Sequence, residues 1–477
     1  VNHFDLAASW SSIEAFREIA KRPYPFILDA ASDPERLGKH SLVGSDPFLV
    51  VHTRGDTTRL DYPRLGKSET SELHPFELLR ELIERYRKEA DADFPMPTGG
   101  AVGYLSYDLF PRVEQIAHTV ENDLGMPEMF FAFYDCVTVF EHHEGTAKLV
   151  LSPPTEAVGE IPQDIIDFWQ GPPVEQKINS EKAGNGKADS TPPPRFSKHG
   201  LKPCQSRESY LASVRRVLEH IAAGDVYQVN FSQRFETDFV GDPVEFYSIL
   251  RQTSPAPFGA CLFPDDFVVF SNSPERYLLI ENGYIETRPI KGTRPRGRDE
   301  AEDRALAEEL AASEKDGAEH LMIVDLERND LGRVCDYATV HVPEFKIIES
   351  YANVHHMVST VAGRVHPSYD LVDCITNSFP GGSITGAPKI RAIEIIDELE
   401  LTARGVYCGS IGYIDFTGRV DLNIAIRTAV KHNGKLYFQV GGGIVADSDP
   451  EEEYLETITK AQSFVKALTG EGRVWEK

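Results

Sequence analysis

Residues 409–443 read GSIGYIDFTGRVDLNIAIRTAVKHNGKLYFQVGGG. Three runs with strand patterning, Gly409 to Ile414, Ile424 to Val430 and Lys435 to Val440, follow one another here with no helical periodicity between them. Only afterwards does a helical pattern begin, Pro450 to Leu468, with Ser448 or Asp449 placed to cap it and Pro450 in its first turn. Strands that succeed one another without helical crossovers argue for an α+β fold over a doubly wound sheet. Upstream the mixture is the same. Strands are expected at Val226 to Arg234, Gly259 to Phe263 and Val268 to Ser271, and helices at Ser206 to Ala223, Asp299 to Leu310 and Lys389 to Leu399. Nearer the N-terminus, Pro47 to His52, Ala101 to Ser106, Phe130 to Val139 and Lys148 to Leu151 read as strands with few long helices among them.

A chain of 477 residues exceeds what one core usually serves, so two intimately packed domains or one very large one are expected. The segment 171–200, rich in Pro, Gly, Lys, Glu and Ser, is the natural linker between a strand-rich domain at 1–170 and a second domain at 201–477. With 41% hydrophobic and 26% charged residues the composition is that of a globular protein. A formal net charge of -26 makes nucleic acid and anionic membrane poor partners, while a small anion could still be gathered by a locally cationic pocket. The six cysteines form no CxxC pair and read as reduced thiols, and no run approaches a membrane span, so a cytoplasmic location is expected.

Against that acidic background stands Arg288-Pro-Ile-Lys-Gly-Thr-Arg-Pro-Arg-Gly-Arg298. Lys291 is a nucleophile only as the free amine, a form that the like charges of Arg288, Arg294, Arg296 and Arg298 would favour; a solvated basic loop is the plain alternative. In Glu314 to Leu326, a helix would place Glu319 on one face with Met322, Ile323 and Leu326. A carboxylate in that setting needs either an arginine, with Arg328 and Arg333 the candidates, or a metal ion. Glu453, Glu456 and Lys460 form one polar stripe of the last helix, downstream of Gly441-Gly-Gly443, where an anion could approach backbone N–H groups. A second glycine-rich element, Pro380 to Lys389, resembles an anion cradle at a helix N-terminus, although it matches neither the P-loop nor the dinucleotide spacing. His355-His356 lacks an HExxH context, which disfavours zinc.

The ordered set PIKGT, AEHLMIVDLERNDLGRVC, HHMVST, PGGSITGAPKIRAIEIIDELE, GSIGYID, AIRTAV and GGGIVADSDPEEEYLET resembles the chorismate-utilising enzymes, densely from about Arg207 onward and more loosely before it. The resemblance implies large, mostly antiparallel sheets packed as a sandwich with helices outside. Within the family, the lysine of PIKGT, together with GGSITGAPK and GGGIVADS, is similar to the aminodeoxychorismate-forming branch, whereas anthranilate-forming members typically carry alanine in that place. Gln228 stands where water-adding members resemble one another in carrying a base lysine, which argues against that chemistry.

By this resemblance Lys291 would add to ring carbon 2 of chorismate, Glu275 would protonate the departing carbon-4 hydroxyl, and His356 and Thr385 would line the site. Arg427, Lys460, Gly442 and Gly443 would bind the substrate carboxylates, and Glu319 and Glu456, with Glu453 beside them, would hold magnesium. Ammonia would come from a glutamine amidotransferase subunit, since none of the cysteines has a glutaminase-like setting. Ala30 stands where relatives with a tryptophan pocket carry a serine, so tryptophan binding is unsupported.

Overall fold

The computed structural model describes residues 2–6, 10–91, 94–171, 196–197 and 201–469. Two 12-stranded sheets, every ladder antiparallel, lie face to face. The first sheet runs from the edge strand Asn2–Asp5 through Cys136–Glu141, Phe26–Asp29, Val268–Ser273 and Lys435–Ile444 to Gln228–Asp238 and Lys202–Pro203. In the second, Ile290–Pro295 and Val354–Arg364 stand at one end, Ser410–Asp415 and Gly100–Leu105 in the middle, and Lys67–Ser71 at the other end. The antiparallel sandwich with outer helices is the architecture expected of the sequence.

Three apolar cores follow from strand alternation, since successive side chains point to opposite faces. One fills the space between the sheets, with Phe26, Leu42 and Val139 from the first meeting Val50, Val102 and Phe130 from the second. The others lie on the outer faces. Ile27, Val43 and Phe438 meet the helices that carry Phe16, Phe246 and Phe464, while Val51, Phe131 and Leu422 belong with Leu79, Val324 and Ile396. The helices expected from Ser206 and Asp299 begin one residue later, with these two as caps: Ser206 receives the Ser209 N–H (3.1 Å), and Asp299 the N–H groups of Ala301 and Glu302. Asp449, not Ser448, caps the last helix, Pro450–Thr469.

Strands from residues 1–170 and from 201–477 stand side by side in both sheets, and both halves supply all three cores. The intervening 171–200 lies outside the described residues, apart from Gly171, Phe196 and Ser197. No described helix is long and apolar enough to cross a membrane.

Two runs expected as strands contain a passage between the sheets. Phe130 to Val139 divides into Met129–Tyr134 in the second sheet and Cys136–Glu141 in the first, and the chain passes between the sheets at Asp135. In Ile424 to Val430 the first four residues, 424–427, are the passage from Val420–Asn423 in the second sheet, and the strand Thr428–His432 of the first sheet begins only after them. An apolar run buried on both sides has the same pattern whether or not it changes sheets. At Asp135 the passage is held by a buried ion pair, with Arg64 donating to both carboxylate oxygens (2.8 and 2.7 Å) and also to the carbonyl of Asp46 (2.7 Å), in the neighbouring passage from His40–Gly44 to Leu49–Arg54. Arg64→Met leaves Asp135 charged without a partner, so the unfolding free energy should fall by about 3 kcal/mol. Urea denaturation measures it, and a loss under about 1 kcal/mol would show that solvent reaches the carboxylate.

Candidate active site

Lys291 lies in the strand Ile290–Pro295, whose pairing with Val354–Arg364 slips register between Ile290 and Thr293. A bulge of this kind re-aims a side chain. Gly292 carries φ +82°, and a Cβ there would crowd Leu310 (3.0 Å) and Asp316 (3.2 Å). The Lys291 amine donates to the Ser383 carbonyl (2.9 Å) and forms no ion pair among the described residues. Burial lowers its pKa; Glu275, Glu319 and Glu456 oppose that shift, and Lys460 adds to it.

The arginines nearby in sequence act otherwise than expected. Arg288 pairs with Glu344 and Glu349, Arg294 with Glu309 and Asp316, Arg296 with Asp303, and Arg298 with Glu302. Their charge is neutralised locally, and desolvation with Lys460 takes the place assigned to them.

Glu275 and Arg427 both stand where the chain passes between sheets. Glu275 lies between Val268–Ser273 and Arg276–Glu281, and Arg427 just before Thr428–His432. The Ile424 N–H donates to the Glu275 carbonyl (3.0 Å), and the Ser273 hydroxyl donates to the Ile424 carbonyl (2.5 Å). Burial pushes the Glu275 carboxyl up to about 7, against the Ser383 hydroxyl, Lys291, the Ile290 N–H and Arg427, which favour the anion. Arg427 has φ +49°, uncommon for a long side chain, and its guanidinium meets no carboxylate at ion-pair distance among the described residues. It approaches His356 Nε2 (3.4 Å), while His356 Nδ1 bonds to the Thr293 hydroxyl (2.9 Å). Burial, and then Arg427, depress the imidazole to about 3, so His356 is neutral. His355 instead pairs with Asp303 (3.0 Å) and Ser350 (2.8 Å), away from that set.

The glycine-rich element 380–389 does not present a free anion cradle. The Gly382 N–H already donates to Glu327 Oε1 (3.0 Å), Lys389 pairs with Asp330 (2.5 Å), and Pro388 precedes the helix Lys389–Leu399. Burial, with Asp330 next, raises Glu327 to about 8, so the occupant is the protein's own carboxyl in neutral form. Thr385 spends its hydroxyl on the carbonyls of Gly381 (3.1 Å) and Gly382 (3.2 Å). The turn Gly382–Ile384 thereby holds Ser383 against both Lys291 and Glu275. Ser383 and Glu327 are site residues that sequence reasoning missed; the only advance sign of Glu327 was its place two turns beyond Glu319 on one helix.

The helix Glu314–Gly332 places Ile323 in the core, with Glu319, Met322 and Leu326 half-buried. Neither arginine expected for Glu319 reaches it, because Arg328 pairs with Asp325 and Arg333 with Glu114. Its pKa rises through burial, and Glu456 adds to the rise. On the last helix Glu453 and Glu456 lie over Gly442, where a Cβ would come within 3.0 and 3.4 Å of their oxygens. Ser448 donates to Glu453 (2.6 Å), and Lys460 pairs with Glu456 (2.6 Å) and donates to the Gly441 carbonyl (2.9 Å). Among the described residues no three His, Cys, Asp or Glu side chains already converge on one point. The acidic oxygens of Glu319, Glu453 and Glu456 nevertheless suit a hard divalent cation, since Glu319 and Glu453 are raised by burial and by Glu456.

The model of the chorismate binding enzymes matches residues 26–466. The chain belongs to the chorismate-binding enzyme family. Relatives of two names stand at the same distance. Anthranilate synthase component 1 of Mycolicibacterium smegmatis is 37% identical over 97% of this chain and 89% of its own length. Aminodeoxychorismate synthase component 1 of Escherichia coli is 36% identical, with 95% of each chain covered. In structure the chain is similar to anthranilate synthase component I of Streptococcus pneumoniae, with a TM-score of 0.76 and 31% identity over 91% of this chain and 93% of that one. The menaquinone-specific isochorismate synthase of Escherichia coli shares the fold, with a TM-score of 0.71 at 15% identity over 98% of this chain and 94% of that one.

The raised carboxyl has a measurable consequence. Glu275 has a folded pKa of about 7 against 4.5 ordinarily, so the folded state holds its proton longer than the unfolded chain. Wild-type stability relative to Glu275→Gln should therefore fall by up to about 3 kcal/mol as pH rises from about 4.5 to about 7, then level off. Urea unfolding of both proteins across that range is the check; parallel curves would show an unshifted carboxyl.

Proposed function

We propose that this family member is the first component of an aminodeoxychorismate synthase, which converts chorismate and ammonia to 4-amino-4-deoxychorismate for p-aminobenzoate and folate synthesis in the cytoplasm. The observation that carries the reading is Lys291. It is an amine whose pKa is lowered by burial, held by a single carbonyl without an ion-pair partner among the described residues, beside an acid that titrates near 7. A free amine and a neutral carboxyl are the two protonation states that displacement of a hydroxyl requires.

In this reading the Lys291 lone pair adds to ring carbon 2, the ring double bonds shift, and the carbon-4 hydroxyl departs as water with the proton of Glu275. The adduct nitrogen then gives up one proton, which restores the acid form of Glu275. Ammonia adds at carbon 4, the lysine leaves carbon 2 with its bonding pair, and a proton from the incoming nitrogen restores the lysine amine. The sum is hydroxyl replaced by amine. Arg427 and Lys460, with the backbone at Gly442 and Gly443, would bind the carboxylates. Neutral His356 would line the site, and Thr385 would brace the turn that carries Ser383. Glu319 and Glu456, with Glu453, would hold magnesium, whose charge would face the ring carboxylate when bound. The similar proteins are named as component 1, which supports a partner subunit; a glutamine amidotransferase would supply the ammonia.

A second reading, anthranilate synthase component I, is favoured by relatives of that name at 37% identity. The two part on products. Chorismate, magnesium and ammonium should give aminodeoxychorismate without pyruvate, and direct release of anthranilate and pyruvate would falsify the first reading. Lys291→Ala should lower kcat by about 100-fold or more while magnesium-dependent chorismate binding persists. Intact-mass spectrometry of the wild type during turnover should show a substrate adduct that is absent from the variant; full activity in the variant would reassign the lysine to electrostatics.

A further inference from the structure

Glu327 is buried in the helix Glu314–Gly332, only 3% exposed, and meets no cation at ion-pair distance among the described residues. The cation near it is spent on a neighbour, because Lys389 pairs with Asp330 one turn further on. Glu327 Oε1 accepts the Gly382 N–H (3.0 Å), and a Cβ on Gly382 would come within 3.0 Å of that oxygen. Gly382 opens the short helical turn Gly382–Ile384, whose first N–H groups have no partner inside the turn, and Gly381 before it has no side chain to cap them. The far end of the turn is held from elsewhere: Arg404 donates to the Ile384 carbonyl (3.0 Å), and the Asn230 N–H to the Thr385 carbonyl (2.7 Å). Between these fixings stands Ser383. Its carbonyl takes the Lys291 amine (2.9 Å), while its buried hydroxyl has no well-aligned hydrogen-bond partner among the described residues and lies beside Glu275, whose anion it favours. A contact so incompletely aligned depends on where the turn sits, since a hydrogen bond weakens steeply with angle.

We propose that Glu327 is a positioning residue for amination, its carboxyl setting, through the Gly382 N–H, where Ser383 stands against Lys291 and Glu275. The inference rests on the amination reading above. Burial, and then Asp330, raise the Glu327 carboxyl to about 8; Glu275 adds to the rise, and Lys389 and the Gly382 N–H oppose it. A neutral carboxyl takes the N–H without placing a second negative charge near Glu275, where it would raise that acid further and weaken it as a proton donor. Ser383 then acts on both partners at once, its carbonyl keeping the amine in place and its hydroxyl moderating the rise of Glu275. With the Gly382 N–H left unpaired, the turn must move to find another acceptor, and both contacts go with it. The groups proposed to bind the substrate carboxylates, Arg427, Lys460, Gly442 and Gly443, lie outside the turn, so chorismate affinity should not follow.

The test is steady-state turnover of chorismate by the full chain with magnesium and ammonium chloride, comparing wild type with Glu327→Met, which keeps the length and removes the acceptor, and with Glu327→Gln, which keeps an uncharged acceptor oxygen. The methionine variant should lose about tenfold in kcat with KM for chorismate unchanged within about twofold, and glutamine should recover most of the loss. In the methionine variant the fall of kcat/KM with rising pH, set by the proton on Glu275, should move up by about half a pH unit, because the Ser383 hydroxyl no longer favours the anion. Glu327→Leu reads the same quantities should the methionine variant not fold. An undiminished kcat, a change in KM alone, or glutamine as slow as methionine overturns the proposal. A second measurement needs no turnover: the pH at which the stability difference between proteins with and without Glu275→Gln levels off should rise by the same amount when Glu327→Met is present in both. Wild type that makes anthranilate and pyruvate sinks the amination reading, and the level-off then decides the inference on Glu275 by itself, upheld where it is displaced and overturned where it is unmoved.

Discussion

Two passages of the chain between the sheets are joined back to back, by the Ile424 N–H on the Glu275 carbonyl and the Ser273 hydroxyl on the Ile424 carbonyl. The site depends on this junction. A strand residue must point to one face or the other, a constraint that does not bind a residue in a passage, and both Glu275 and Arg427 stand in passages. Asn423 braces the same place, accepting the Ile411 N–H (2.9 Å) and donating to the Phe258 carbonyl (3.0 Å). The positive φ of Arg427 is sustained because its own carbonyl is held by the Asn272 N–H (3.0 Å).

The same desolvation acts in opposite directions on the two groups of the proposed chemistry. Loss of water disfavours whichever form is charged, so it lowers the Lys291 amine, raises the Glu275 carboxyl and carries both toward neutrality. Each shift is moderated by the other group, which keeps Glu275 near 7 where full burial alone would take it higher. On a chain of net charge -26, the cations left without carboxylate partners become conspicuous. The arginines from 288 to 298 are all spent on local acids, while Lys291 and Arg427 meet no carboxylate at ion-pair distance among the described residues.

Much of the local structure was legible in the sequence. Ser206, Asp299 and Asp449 cap helices because a short polar side chain before an amphipathic run meets the unpaired N–H groups wherever that helix lies. The strand runs were legible for the same reason, since alternation is a property of adjacent residues. Where reading failed, a distant partner was the cause. Phe130 to Val139 hides a change of sheet that only Arg64 reveals, the cradle at 380–389 is filled from Glu327, and the arginines proposed for Glu319 are engaged elsewhere.

The sequence by itself determined a strand-rich α+β chain, the places of its helices and the motif set that marks the chorismate-binding family, because these rest on periodicity and residue identity along the chain; the antiparallel sandwich followed only from the resemblance that the motif set carries. Which residues become a site was decided only by the tertiary structure. Lys291 meets Ser383 from 92 residues away, and Gly382 meets Glu327 from 55. No local pattern encodes such distances, and the loss of water that sets the protonation of Lys291, Glu275 and His356 exists only once both sheets have closed over them.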